Sequence, residues 1–170
     1  MGPRAQHAGL TPEGPTRRPG TRLPLLDRLV DADPRHHEEA QPRRVLLDSE
    51  IQASIRRELA RLLNTRCVET IDALGGQERT VVNYGLPDFF TLNPTRDGDR
   101  DRLARLIVEA IRAYEPRLRN AAVAIAVDAE QPRALRIVLT GTLALDNLLE
   151  PVSFPLVIEY RGATIEVASA

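Results

Sequence analysis

The chain contains no tryptophan and no lysine, and it has one cysteine and one methionine. Without lysine there is no Schiff-base chemistry and no phosphate loop of the P-loop type, since both need an ammonium group. The single thiol, Cys67, excludes an intrachain disulfide and a cysteine-based zinc site, and fits a reducing compartment. Aromatic residues make up only 4%, so the core has to be built from Leu, Ile, Val and Ala, and base-stacking platforms for single-stranded nucleic acid lose their support. No apolar run approaches the roughly 20 residues of a membrane span, and residues 1–30 lack the apolar middle of a secretory signal. A cytoplasmic protein is expected.

Charge of one sign is also missing. The 23 basic residues, all arginine, are interleaved with 24 acidic ones for a net charge of −1, so no long-range field draws the chain to nucleic acid. Catalytic and metal-binding patterns are absent too. His7 lies in a tail-like segment, and the side chains of His36, His37, Glu38 and Glu39 fan out from a loop-like stretch instead of converging. Neither H-E-x-x-H nor G-x-S-x-G occurs, and Cys67 follows the carboxyl end of a helix, where a thiolate gains nothing from the dipole. The acidic residues are scattered among arginines on helix faces and turns, without the paired carboxylates of a glycosidase. No catalytic residue, metal ligand, cofactor or small-molecule substrate is therefore expected.

What is present divides the chain. Residues 1–22, rich in Pro, Gly, Thr and Arg, predict a disordered basic tail. In residues 23–44, Leu25, Leu26, Leu29 and Val30 fall at helical spacing in a run too short to stand alone, so a short docking helix and a linker are expected. The remainder, 45–170, reads as an α+β domain. Ser49 and Gln52 form a capping box ahead of a helix with Ile51, Ile55, Leu59, Leu62 and Leu63 on one face, and Asn64 is expected as a left-handed stop. Residues 67–98 read as irregular, with Thr80–Val82 extended. A second helix is expected from Asp99 to Tyr114, its stripe formed by Leu103, Leu106, Ile107, Ala110, Ile111 and Tyr114, and ended by Pro116.

After that the period changes from 3.6 to 2. Alternation at Val123–Val127, Leu135–Leu139, Val152–Tyr160 and Ile165–Val167 predicts four strands in a mainly antiparallel meander, with a hairpin at Arg161–Gly162 and an edge or bulge at Pro155. Two main helices followed by such a meander is an α+β fold.

The segment Tyr114-Glu115-Pro116-Arg117-Leu118 places a carboxylate where the helix dipole repels it, so a positive group is expected beside it. Two readings stand. If the stretch is extended, Glu115 and Arg117 point the same way and present an acceptor and a donor fork to a partner. Otherwise Glu115 makes a local pair with Arg112, Arg117 or Arg119, of little consequence at a solvated surface.

"LLNTR" at 62–66, "VVNYGLPDF" at 81–89 and "YEPRL" at 114–118, in that order, resemble the baseplate wedge proteins of contractile injection machines. The leading "LPLLDRL" at 23–29 is similar to the opening of the type VI secretion branch of that family, the TssE subunits. The resemblance implies a non-catalytic subunit that joins the wedge proteins TssF and TssG in a larger baseplate at the cytoplasmic face of the inner membrane. It implies that Glu115, Pro116 and Arg117, with Tyr114 and Leu118, imitate the sheath subunit, whose first ring is nucleated there through exposed strand edges. On that reading Ala at position 115 or 117 leaves the monomer folded but stops sheath growth. Asn64 and Arg66 either cap a helix or touch a partner; Asn83 and Tyr84 either turn the chain or touch one. Leu25, Leu26 and Leu29 are expected to dock in a groove of another subunit.

The family also carries a lysozyme-like label. The signature of Glu, eight residues, Asp, five residues and Thr fits no glutamate here: from Glu78 the aspartate, Asp88, comes one position late, and Pro94 stands where Thr is required. The alternative of a peptidoglycan hydrolase is disfavoured on that ground.

Overall fold

In the computed structural model, residues 21–22, 29, 45–46, 48–74, 78–127, 134–145, 148–159 and 164–167 are described. Backbone contacts divide the chain into two units, Met1–Leu46 and Leu47–Ala170. In the first, β1 (Thr21–Arg22) pairs antiparallel with β2 (Val45–Leu46). Leu29 is helical and 70% exposed. Thr21 and Arg22, expected at the end of the disordered tail, are strand β1 instead, while residues 1–20, Leu25, Leu26, the paired histidines and the Arg161–Gly162 turn lie outside the described residues.

The second unit has the predicted α+β architecture. Helix α1 (Asp48–Asn64) buries Ile51, Ile55, Leu59, Leu62 and Leu63, every residue of the predicted stripe. The helix begins at Asp48, which places Ser49 within the first turn. A short helix, α2 (Ile71–Leu74), was not foreseen; the Thr70 hydroxyl accepts from the Ala73 amide at 3.2 Å and starts it. Helix α3 (Asp97–Tyr114) starts two residues before the predicted position, with Asp97 and Asp99 in its first turn complementing the dipole. Leu103, Leu106, Ile107, Ala110 and Ile111 are buried as expected, whereas Tyr114 is half-buried.

Four strands follow in the order β3 (Leu118–Val127), β4 (Ala134–Leu145), β5 (Leu148–Glu159) and β6 (Thr164–Val167), all antiparallel. Alternation puts Leu135, Ile137, Leu139, Phe154, Leu156, Ile158 and Ile165 on one buried face. Helix α3 packs on β3 and α1 on β6, so the two helical stripes and this face share one core. Each buried aliphatic side chain stabilises it by about 1.5–3 kcal/mol.

Two strand features position the site. Register slips by one residue between Arg119 and Ala122, and Asn120 takes a left-handed φ of 51°, a β-bulge near the start of β3. Pro155 is not at a bulge: it pairs in register with Val138. It is tolerated because β6 pairs only with Leu156–Glu159, so at Pro155 no described strand lies on the other side of β5 to receive an amide hydrogen.

Candidate functional site

The Glu-Pro-Arg segment forms a buried corner. Pro116 excludes helical geometry from the residue before it, and Glu115 closes α3 at φ −124°, ψ 72°, its amide still bonded to Ile111 O at 2.8 Å. Pro116 and Arg117 form a turn, and the Leu118 amide returns to Glu115 O at 3.0 Å. The segment is therefore not extended. The Glu115 carboxylate grips Arg117 with both oxygens: Nε donates to Oε1 at 2.7 Å and Nη2 to Oε2 at 2.6 Å, while the Arg117 amide reaches Oε1 at 3.3 Å. Arg117 Nη1 also donates to Ser54 Oγ on α1 at 3.2 Å, and Arg117 O accepts from Ala144 N on β4 at 2.8 Å. One ion pair thus braces α1, α3 and β4 together.

Burial overturns the expectation of a solvated helix end. Glu115 is 3% exposed and the Arg117 side chain 17%, while Pro116 is exposed. Removing one partner of a buried pair strands the other charge, at about 3–5 kcal/mol. Alanine at 115 or 117 is accordingly a lesion of the fold as well as of any surface. Leu118, also buried, packs toward Gly141, where a Cβ would lie 2.7 Å from Leu118 Cδ1.

Tyr114 anchors a second cluster. Thr80–Val82 was expected to be extended, but Val81–Asn83 is a 3-10 turn, because Thr80 and Asn83 form a capping box: Thr80 N donates to Asn83 Oδ1 at 2.7 Å and Val82 N to Thr80 Oγ1 at 3.4 Å. The Tyr114 hydroxyl lies 2.7 Å from Thr80 O and 2.9 Å from Asn83 Oδ1, sharing its proton between two acceptors. Tyr84 stacks edge-on against Tyr114 at 5.0 Å. Burial pushes both phenols above their ordinary 10.0; the charge of Glu58 adds to this at Tyr84, while Arg79 opposes it at Tyr114. This cage leaves Val81 and Val82 88% and 84% exposed on a tightly held turn.

The third motif closes the circuit. Arg66 bridges in parallel to Leu86: Leu86 N donates to Thr65 O and Cys67 N to Leu86 O, each at 2.9 Å. Gly85 is needed there, with φ 108° and a hypothetical Cβ only 2.4 Å from Thr65 O. Arg66 Nη1 caps α1 at Leu63 O, and its guanidinium lies 4.6 Å over Phe89 and 5.4 Å over Phe90, where burial lowers its pKa against the opposing charge of Asp88.

Asn64 is no left-handed stop; Asn120 is the positive-φ position outside glycine among the described residues. Its side chain instead crosses to β6. Nδ2 donates to Ile165 O at 2.8 Å and to Ala60 O at 2.8 Å, and Oδ1 accepts from Ile165 N at 2.7 Å. The amide stands in for a strand residue along the outer side of β6.

The structure therefore brings Tyr114, Asn83, Tyr84, Glu115 and Arg117 together at the carboxyl end of α3, with Asn64 and Arg66 at the end of α1. Sequence reasoning missed Ser54, Thr80, Arg79 and the Phe89–Phe90 stack. Thr80 was legible, since Thr and Asn three apart can cap reciprocally; Ser54 was not, because its partner is 63 residues away. Among the described residues no group of His, Cys, Asp and Glu could hold a metal, and no helix is long and apolar enough to cross a membrane.

This arrangement braces helices, turn and sheet against one another, and among the described residues no strand lies along the outer side of β3; the architecture is that of a structural packing module. The sequence model of the family described as baseplate wedge protein gp25 matches residues 49–148, more than half of the chain, and the chain belongs to that family. Among solved structures, a chain of "The baseplate complex from the type VI secretion system" aligns at 18% identity with a TM-score of 0.46, covering 72% of this chain and 97% of that chain. No curated protein sequence matches.

Proposed function

We propose that the chain is a non-catalytic structural subunit of a type VI secretion baseplate, of the TssE kind, which assembles with TssF and TssG at the cytoplasmic face of the inner membrane and nucleates the contractile sheath. The observation that carries this reading is membership of the baseplate wedge family across both long helices and the first two long strands. The architecture supports it: a sheet edge that offers unpaired backbone groups can receive a strand from a polymer subunit. The Glu115–Arg117 corner contributes by holding the start of that strand in place rather than by contacting the sheath through its charges.

The three predicted motifs fit one assembly role in different ways. Pro116 and the Val81–Val82 turn are exposed and available to wedge partners, whereas Glu115, Arg117, Leu118 and Asn83 act from within. Leu25, Leu26 and Leu29 serve as an apolar anchor for a neighbouring subunit, and deletion of residues 1–30 is expected to weaken wedge assembly while sparing the fold of the second unit.

Co-purification from the native bacterium, read by mass spectrometry, tests the partners; TssF and TssG are expected with the tagged chain. Sheath tubes are expected to be absent from cells lacking the protein, and normal tubes there would remove the nucleation role. Clearing of a peptidoglycan suspension by the purified protein, above a mock-purified control, would replace this reading with the hydrolase.

A further inference from the structure

The two edges of the four-stranded sheet are finished differently. At β6 the strand is four residues long, carries Glu166, and has both main-chain groups of Ile165 occupied by the Asn64 side chain. A polar plug and a charge on a short strand are the means by which natural sheets refuse further pairing. At β3 none of these devices operates beyond the bulge. Ala122-Val123-Ala124-Ile125-Ala126-Val127 has no charge and no proline, it pairs only with β4, and among the described residues no strand lies along its outer side.

The core is unfinished on the same side. Ile137 and Leu139 of β4 are fully buried, but their cross-strand neighbours Ile125 and Val123 are half-buried, and Val127 is 38% exposed. Beside them a groove of about 310 Å³ opens between β3 and the first turns of α3, lined by Asp97, Arg100, Asp101, Ala104 and Val123–Ile125. Its rim is acidic at Asp97 and Asp101, both exposed, and Asp97 is paired with Arg100.

We infer that β3 and not β6 is the edge that receives a strand, and that the incoming segment of the sheath subunit is apolar at alternate positions and carries a basic residue toward the amino end of α3. This rests on the strand-pairing reading above and specifies its place. An added strand pairs with Ala122–Val127, covers the open side of Val123 and Ile125, fills the groove under α3 with its inward side chains, and brings its positive charge to Asp101. The bulge at Asn120 ends the pairing on one side, which sets the register.

Two charge-matched variants separate the edges. Ala124→Lys with Ala126→Lys alters exposed positions of β3, and Glu166→Lys alters an exposed position of β6; each raises the net charge by two. With purified sheath subunits and the full chain, the β3 variant is expected to lower affinity at least about tenfold and the β6 variant to leave it unchanged. Loss in the β6 variant alone, or equal loss in both, overturns the choice of edge. Hydrogen exchange on the unaltered protein gives an independent reading. Sheath subunits are expected to slow alternate amides within Ala122–Val127, and protection confined to Thr164–Val167 or absent from both edges refutes the inference. If sheath tubes still require the protein in cells while β3 amides stay unprotected, nucleation stands and the edge assignment alone falls. Normal tubes without the protein remove the parent reading.

Discussion

The corner at Glu115 and the outer edge of β3 begin within a few residues of one another and solve opposite problems. At the corner the charged groups are brought to partners: a carboxylate meets a guanidinium with two hydrogen bonds, the guanidinium reaches Ser54, and the main chain is tied to Ile111 and Ala144. Along β3 no described strand pairs with the outer row of backbone groups, and the inward valine and isoleucine are only partly covered. The difference shows that the charged motif is a brace, and it is the reason the neutral strand beside it is proposed as the assembly surface. A charged pair in low dielectric is already neutralised, so it has little left to offer a partner, while an open strand edge has a full ladder of hydrogen bonds to give.

That contrast can be broken most forcefully at the brace. Glu115→Ala or Arg117→Ala is expected to lower unfolding free energy by about 3–5 kcal/mol in denaturant titration, because each leaves one charge buried without its counterion. Unchanged stability would show that the corner is solvated after all. Asn64→Ala comes next: it removes three side-chain hydrogen bonds and detaches β6 from α1, for a loss of about 1–3 kcal/mol. It also uncovers Ile165, so self-association through β6 is expected to appear in light scattering at high protein concentration.

Tyr114→Phe is a smaller lesion, about 1 kcal/mol, since the Thr80–Asn83 box keeps its own hydrogen bonds. Its pH signature is specific. Burial raises the folded phenol above its ordinary 10.0, so the stabilisation is fully present below pH 10.0 and is lost as pH rises through the folded value. Wild type is expected to lose more stability than Tyr114→Phe across that alkaline interval, measured by circular dichroism melts; parallel curves would remove the phenol from the account. The smallest stability effect belongs to the edge itself. Ala124→Lys with Ala126→Lys is expected to shift unfolding by no more than about 0.5 kcal/mol, because both side chains face solvent. A large loss there would mean that β3 is packed like the brace and is no open edge.

Much of the fold was legible locally. The stripe from Ile51 to Leu63, the stripe from Leu103 to Ile111 and the switch to period 2 at Val123 each depend on neighbours within one or two turns, which the chain spells out directly. The start of α3 and the 3-10 turn at Val81 were misplaced because capping depends on side-chain geometry that composition does not distinguish from a loop. For the site, the positions were legible and their roles were not. Glu115 and Arg117 were singled out, as were Asn64, Arg66 and Asn83, yet all were expected as surface groups or simple caps.

Sequence alone determined the two amphipathic helices, the four alternating strands, the break at Pro116, the exclusion of lysine and disulfide chemistry, and the ordered motifs that mark a wedge protein. Tertiary structure alone decided that Glu115 is buried, that Ser54 meets Arg117, that Asn64 closes β6 and that, among the described residues, β3 pairs on one side only. The reason is one of range: periodicity and caps are written in residues a few positions apart, whereas burial and edge closure depend on which distant segments arrive beside them, as Asn64 and Ile165 do across 101 residues.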